Sequence, residues 1–127
     1  PIIPKTFESK LVKNVHIIGD ASNAAPMPKS AFSASTQGKV VAMQIARLLK
    51  QEAPINPPKL ANTCYSLLSP NYGISIAAVY NAHDDKIESI NGAGGVSPEH
   101  DHDGHIRLLE AKYAYAWYES QTKDVFK

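Results

Sequence analysis

Residues 14–49 read NVHIIGDASNAAPMPKSAFSASTQGKVVAMQIARLL, and this stretch decides the fold class. Its first part, Val15 to Ile18, is a short, mostly apolar run that ends at Gly19, which favours a strand of a covered sheet. Asp20 follows at the carboxyl end of that strand, where open α/β sheets bind their ligands. Its carboxylate either accepts hydrogen bonds from hydroxyls of a bound molecule or only ends the strand and caps a turn, and the spacing leaves both interpretations open.

The second part of the stretch predicts an amphipathic helix from Ala31 to Lys50. Small and apolar residues recur at helical intervals on the face predicted to be buried, namely Ala31, Ala34, Gly38, Val41, Ala42, Ile45, Leu48 and Leu49. Pro28 restricts the entry to this helix, and the hydroxyls of Ser30 and Ser33 can cap its free backbone amides. Because a helix start is electropositive, the segment Pro28 to Ser30 can hold an anion or a developing negative charge.

The rest of the chain predicts a small sheet and a closing helix. After a proline-rich linker with Pro54, Pro57 and Pro58, extended runs and turn formers predict three antiparallel strands, a long loop and a helix. Their predicted bounds are Thr63–Leu68, Ile74–Tyr80, Lys86–Ile90, Asn91–Gly104 and Ile106–Gln121. We expect the second strand to be the most buried, and the helix to pack on the sheet through Ile106, Leu109, Tyr113, Ala116 and Trp117.

Four motifs follow one another in a specific order. They are Gly-Asp at 19–20, Met-Pro-Lys-Ser at 27–30, Asn-Thr-Cys-Tyr-Ser at 62–66 and Tyr-Gly-Ile-Ser at 72–75. The Gly-Asp segment, with Thr6 to Ser9 before it, resembles the second FAD-binding motif of the two-dinucleotide-fold, disulfide reductase-like flavoproteins. Together the motifs resemble the flavoprotein subunits of flavocytochrome c sulfide dehydrogenases, and the likeness extends from Thr6 to the carboxyl terminus.

The resemblance implies an α/β fold with two parts. Residues 1–53 would be the carboxyl-terminal part of an FAD-binding domain, a strand plus a helix, and residues 54–127 a flavin-binding or interface domain with a small antiparallel β-sheet packed with a closing helix. The chain has 127 residues and lacks the Gly-x-Gly-x-x-Gly fingerprint that cradles a dinucleotide pyrophosphate. We therefore expect a carboxyl-terminal fragment whose partner is the missing amino-terminal part of the same flavoprotein.

The resemblance also implies the cofactor, which is FAD, and a set of residues that contact it. Gly19 and Asp20 would lie toward the ribityl chain, and Pro28, Lys29 and Ser30 toward the pyrimidine edge of the flavin. It further implies that the whole protein is a periplasmic enzyme that oxidises sulfide and passes the electrons to a cytochrome c subunit.

Cys64 is the only cysteine of the chain. Taken alone, a single cysteine beside a strand is more often a small buried hydrophobic residue than a reactive group. The resemblance instead implies that Cys64 is half of a redox disulfide near the flavin, with its partner upstream of this chain. It also suggests that Trp117 lies against the flavin or on the surface that faces the cytochrome, whereas packing alone explains most aromatic residues of this helix.

A cluster of imidazoles and carboxylates at residues 100–105, His-Asp-His-Asp-Gly-His, supports an alternative function. Such groups bind transition metals, so the chain could be a stand-alone metal-binding or interaction module. Because successive loop residues rarely converge on one ion, we expect a solvated loop and no metal. A sulfide to quinone oxidoreductase is another alternative, but those enzymes have an apolar tail that contacts the membrane, and this chain ends in polar residues 120–124.

Composition excludes two classes of partner. The formal net charge is +1 and charged residues make up 20% of the chain, so no basic surplus marks a nucleic-acid surface. No apolar run approaches the roughly 20 residues needed to cross a bilayer, so we expect no membrane span. His16 lies within the apolar run before Gly19, and we interpret it as a hydrogen-bonded core histidine rather than a catalytic one.

Overall fold

The computed structural model describes residues 1–126 and has an α/β architecture. Two short strands pair in antiparallel fashion, and a separate antiparallel sheet has the strand order β3-β4-β5. In chain order the elements are β1 (Ile2–Ile3), β2 (Glu8–Ser9), a 3₁₀ turn (Gly19–Ala21), α1 (Ala31–Leu49), β3 (Lys59–Ser69), β4 (Tyr72–Ala82), β5 (Ile87–Val96) and α2 (His105–Phe126). A helix followed by a three-stranded antiparallel sheet and a second helix confirms the predicted fold class.

The chain forms two compact units. The first unit comprises Pro1–Thr63 and Ala78–Gly94, and the second comprises Cys64–Ala77 and the chain from Gly95 onward. The predicted boundary between residues 53 and 54 concerns the domains of a larger flavoprotein and stays a prediction.

An apolar cluster forms the core of the first unit. Phe7 is fully buried, and it lies in a left-handed conformation with φ 57° in a tight turn, where its amide donates to the carbonyl of Ile3. The cluster contains Ile2, Phe7, Ala24, Met27, Val40, Val41, Leu60, Tyr80, Ala82 and Ile87. Burial of this apolar surface is the main force that stabilises the first unit.

Helix α1 begins as predicted, because the hydroxyl of Ser30 caps it by accepting a hydrogen bond from the amide of Ser33. The predicted buried face is only partly right: Val41 is buried, but Leu48 and Leu49 are exposed. The buried face of α1 instead includes polar side chains. Its buried residues are Ser33, Gln37, Val40, Val41 and Gln44. Buried polar groups must be hydrogen-bonded, so this face serves polar contacts as well as apolar ones.

Gln44 shows how such a polar contact works. Its amide nitrogen donates to the carbonyls of Lys5 (3.1 Å) and Ile55 (3.0 Å), and its carbonyl oxygen accepts from the amide of Ile55 (3.0 Å). One side chain thus supplies both the donor and the acceptor of a peptide group, and it joins α1 to two separate loops.

The predicted buried strand Val15–Ile18 is wrong. An isolated bridge joins Glu8 to His16, and the amide of Ile17 donates to the carbonyl of Phe7. Val15 and Ile18 are 45% and 39% exposed. Within residues 1–126 this run pairs only with the segment around β2, so it lacks the strands and helices that cover a central parallel strand on both faces.

The sheet is longer than predicted at both outer strands. Strand β3 begins at Lys59, directly after Pro58, instead of at Thr63. Strand β5 continues through the glycine-rich segment that was expected to be a loop and ends at Val96. The amide of Ser97 still donates to the carbonyl of Ser75, which shows that pairing with β4 outweighs the weak strand propensity of glycine.

Strand β4 is the most buried of the three strands of this sheet, as predicted, although part of one face remains exposed. Ile74 and Ile76 are 37% and 53% exposed, whereas their neighbour Gly73, which faces α2, is buried. A Cβ atom at Gly73 would lie 2.5 Å from the backbone nitrogen of Ala111, so glycine is required for α2 to approach the strand this closely. The first half of the strand therefore has one face toward α2 and one that is exposed, whereas Tyr80 and Ala82 near its end are buried in the apolar cluster.

Helix α2 buries a different face from the predicted one. Ile106 and Tyr113 are exposed, and the buried residues are Arg107, Glu110, Ala111 and Ala114. The backbone contact at Gly73 requires a small residue opposite, which places Ala111 and its helical neighbours against the strand. Neither α1 nor α2 combines the length and apolar character of a bilayer-spanning helix, and this holds for all residues that the structure describes.

Candidate functional site

The five predicted flavin contacts of the first unit lie around one pocket in front of α1. Gly19 and Asp20 come from the 3₁₀ turn, and Pro28, Lys29 and Ser30 from the segment that enters the helix. The cavity has a volume of about 120 Å³. Its other walls are formed by Ser22, Asn23, Ala24, Ala25, Met27, Ser33 and Gln37. The structure therefore brings these predicted residues together, although the strand expected to position them is not formed.

Gly19 fixes the backbone on one side of this pocket. It has φ +63°, and a Cβ atom here would lie 3.3 Å from that of Ala34. Its amide donates to the side-chain oxygen of Gln37 (2.8 Å), and its carbonyl accepts from the amide (3.0 Å) and the hydroxyl (2.9 Å) of Ser22. The left-handed backbone and the close contact with α1 both favour glycine, and together they hold Asp20 at the rim.

The rim offers one acceptor and one donor of opposite charge. The ammonium of Lys29 donates to the backbone carbonyl of Asp20 (2.8 Å), while the side chains of both residues are exposed. An ammonium has three N–H donors and a carboxylate only accepts. Lys29 therefore keeps donors for a ligand carbonyl, and the carboxylate of Asp20 can accept from a ligand hydroxyl.

The hydroxyl of Ser30 is engaged by the protein itself. It donates to the side-chain oxygen of Asn62 (2.5 Å) and accepts from the amide of Ser33 (3.0 Å), and the hydroxyl of Ser33 donates to the same oxygen of Asn62 (3.0 Å). Asn62 is 4% exposed. Asn62 belongs to the motif at 62–66, but the motif alone does not predict this role. Its position two residues before Cys64 on β3 is the signal that could have identified it.

Cys64 lies in the second unit, on β3, and lines a cavity of about 330 Å³. The side chain is half-buried and carries a thiol. The remaining walls consist of Ser66, Ile74, Ser75, Ile76, Val96, Ser97, Pro98, Glu99 and Arg107. The wall is therefore part apolar and part hydroxylic, with one cation and one carboxylate.

A buried carboxylate organises the polar part of this wall. One oxygen of Glu110 accepts from the hydroxyls of Ser75 (2.9 Å) and Ser97 (2.7 Å), and the other accepts from the guanidinium of Arg107 (3.3 Å). Arg107 also donates to the carbonyl of Pro98 and lies 5.7 Å from the ring centroid of Tyr72. Sequence reasoning missed this network, although Arg and Glu three residues apart in an otherwise apolar stretch are a recognisable signal.

Trp117 packs against Tyr65, the neighbour of Cys64 in the sequence. Their ring centroids are 6.5 Å apart with planes inclined by 38°, and the tryptophan is half-buried. Burial, and then the negative charges of Glu110 and Tyr113, raise the pKa of the Tyr65 phenol. This aromatic pair joins α2 to the residue that follows Cys64 on β3, and the expected contact of Trp117 with flavin or cytochrome stays a prediction.

The histidine-rich segment has a structural explanation. The amide of Arg107 donates to Asp101 (2.9 Å) and the amide of His105 donates to Asp103 (3.1 Å), so these carboxylates cap the start of α2. The backbone N–H of Arg107 lowers the pKa of Asp101. His100 and His102 stack at 6.2 Å, and nowhere in residues 1–126 do three His, Cys, Asp or Glu side chains come together as a metal site.

His16 makes the hydrogen bond expected of it. Its Nδ1 lies 2.9 Å from the carbonyl oxygen of Thr6, and the side chain is half-buried. Because a carbonyl oxygen only accepts, Nδ1 carries the hydrogen. The ring holds the segment before Gly19 against the first turn of the chain.

Residues 56–126 match the family model described as flavocytochrome c sulphide dehydrogenase, flavin-binding. The chain belongs to this family. The match covers more than half of the sequence and includes all of the sheet, Cys64, Glu110 and Trp117. This flavocytochrome c sulphide dehydrogenase family is one of flavin-dependent oxidoreductases, so the cofactor is FAD. The match also favours the flavoprotein interpretation over a stand-alone metal-binding module.

Proposed function

We propose that this chain works within a periplasmic sulfide dehydrogenase, in which sulfide is oxidised at a redox disulfide and the electrons pass through FAD to a cytochrome c subunit. The observation that supports this most strongly is the family match over residues 56–126, which includes the only cysteine. The cytochrome partner is supported by the family's name. The amino-terminal part of the flavoprotein is proposed as the source of the second cysteine.

The pocket in front of α1 fits one edge of FAD. Its polar groups are the exposed carboxylate of Asp20 and the exposed ammonium of Lys29, which match the hydroxyls of a ribityl chain and the carbonyls of a pyrimidine ring. The electropositive start of α1 favours negative charge on the bound ring. Pro28 and Ser30 hold the helix entry in place. FAD, when bound, accepts two electrons and releases them to the cytochrome.

The proposed step at Cys64 is thiol–disulfide exchange. Sulfide attacks one sulfur of the disulfide, a new sulfur–sulfur bond forms, the old one breaks, and the displaced cysteine leaves as a thiolate. In this exchange the sulfur of sulfide is oxidised, because it becomes the outer sulfur of a persulfide, and the disulfide is reduced by two electrons. Bound FAD would take up these two electrons as the sulfur is released and the disulfide re-forms. The cavity beside Cys64 supplies the space that an attacking sulfur needs, and part of its wall is apolar, formed by Ile74, Ile76 and Val96.

Replacing the cysteine tests this proposal. In the FAD-loaded protein assembled with its cytochrome c subunit, Cys64→Ser should abolish sulfide-dependent cytochrome reduction, because a hydroxyl cannot form the disulfide. The flavin should remain bound, and dithionite should still bleach its visible spectrum.

The matched control is Ser66→Ala, which changes another side chain of the same cavity on the same strand without touching the thiol. This variant should retain sulfide oxidation. Cytochrome reduction by Cys64→Ser at the parent rate would return Cys64 to the role of a small packing residue and refute the proposed reaction.

A further inference from the structure

The polar wall of the cavity at Cys64 depends on a single carboxylate that is not itself part of that wall. Ser75, Ser97 and Arg107 all line the cavity, and all three donate hydrogen bonds to Glu110. Glu110 therefore fixes the orientation of both hydroxyls and of the guanidinium from outside the cavity.

The same contact sets the charge of the cavity. The side chains of Arg107 and Glu110 are 7% and 12% exposed, so their ion pair is shielded from water. In such surroundings charges interact more strongly than they do in water. Glu110 compensates the charge of Arg107, and the exposed Glu99 adds a negative charge to the lining of the cavity.

We propose that Glu110 is a positioning residue that keeps Arg107 neutralised and the hydroxyls of Ser75 and Ser97 turned away, so that the cavity admits neutral molecules to Cys64 in preference to anions. The relevance of this selection to sulfide oxidation rests on the proposed function: uncharged hydrogen sulfide would enter in preference to larger anionic sulfur species, and it would lose a proton before it attacks the disulfide. Burial raises the pKa of the Tyr65 phenol, and the charge of Glu110 raises it further, which is consistent with an electrostatic effect of this carboxylate on the residue that follows Cys64 in the sequence.

The single cysteine makes the proposal measurable without any enzymatic activity. Alkylation of the purified chain by iodoacetamide, which is neutral, and by iodoacetate, which is an anion, modifies Cys64 alone. The ratio of the iodoacetate rate to the iodoacetamide rate reports the charge of the cavity, because both reagents share the thiolate as nucleophile. A loss of packing or stability changes both rates and does not select between the reagents.

Glu110→Gln should raise this ratio about threefold to tenfold, because it leaves the charge of Arg107 uncompensated in the cavity that Cys64 lines. The matched control is Glu119→Gln, which removes the same charge from an exposed position of the same helix and should leave the ratio unchanged. Arg107→Gln should shift the ratio in the opposite direction, since it leaves the carboxylate uncompensated. The double variant should return the ratio toward the parent value.

Each variant is first compared with the parent by circular dichroism. An unchanged ratio in the variant of Glu110 or of Arg107 that keeps the parent spectrum overturns the proposal. Sulfide oxidation is then measured separately in the FAD-loaded protein. A failure of the alkylation result refutes the role of Glu110, whereas a changed ratio without any sulfide oxidation refutes only the proposed function.

Discussion

The two compact units of this chain are stabilised by different kinds of contact. Every residue of the apolar core cluster belongs to the first unit, where Phe7 and Leu60 are almost completely inaccessible to solvent. The strongly buried residues of α2 in the second unit are two alanines and the pair Arg107 and Glu110. The first unit therefore depends on apolar burial, and the second on a close backbone contact and a buried ion pair. Apolar burial is distributed over many contacts, whereas the polar network concentrates its effect in a few atoms.

The largest stability effect should come from the apolar core. Phe7→Ala removes a fully buried ring and should lower the free energy of unfolding by about 3–5 kcal/mol. Denaturant unfolding followed by circular dichroism measures the change. Phe126→Ala is the matched control, because that ring is 80% exposed and its loss should have little effect. Equal losses in the two variants would contradict the assignment of the core to the first unit.

A change at the rim of the flavin pocket should affect binding and leave unfolding alone. In the FAD-loaded protein, Asp20→Ala should weaken non-covalent FAD binding about tenfold to a hundredfold, since a charge-assisted hydrogen bond is worth about 1.5–3 kcal/mol. Flavin titration measures the affinity. Asp85→Ala, at an exposed turn away from the pocket, is the control. Unchanged affinity in Asp20→Ala would show that Asp20 only ends a turn.

The close approach of α2 to β4 predicts a loss of about 1–3 kcal/mol for Gly73→Ala. The added Cβ would meet the backbone of Glu110 and Ala111 at 2.5–2.9 Å, and backbone atoms cannot rotate away. The control is Gly95→Ala, whose Cβ would have no atom within 4 Å, so this variant should lose little stability. Unfolding curves of the two variants give a direct comparison, and equal midpoints would mean that the helix can move away at no cost.

The smallest effect should be the pH dependence of the cap on α2. Because the backbone N–H of Arg107 lowers the pKa of Asp101, this contact stabilises the fold above the ordinary aspartate pKa of about 3.9 and is lost as the pH falls through the lower folded value. Asp101→Asn should lower the unfolding midpoint slightly at pH 7 and remove part of the decline below pH 4. A variant whose midpoint differs from the parent equally at pH 7 and pH 3 would refute this.

The sequence was sufficient to predict the fold class and the residues around the first pocket. Helix α1 and its cap followed from proline, serine and periodic apolar residues, which act over a few residues of chain. Gly19 and Lys29 line the same pocket because they are only ten residues apart and flank the start of α1. The strand at Val15 was wrong, because covering a strand on both faces depends on neighbours that local sequence does not specify.

The second unit was predicted less well, for a related reason. The sequence pattern placed Ile106 and Tyr113 inward because apolar residues usually lie on the buried face. The buried face is determined instead by Gly73, 38 positions before Ala111, and by two serines that satisfy Glu110. Contacts between residues so distant in sequence are set by tertiary packing, which overrides the local pattern.

Gln44 has a consequence for anyone who redesigns this protein. Its side-chain amide completes the hydrogen bonding of two loops, so it acts as an inserted peptide unit that belongs to neither of them. A procedure that improves cores by replacing buried polar residues with leucine would select this position first. The resulting protein would gain hydrophobicity and lose the tie between residues that lie fifty positions apart, Lys5 and Ile55.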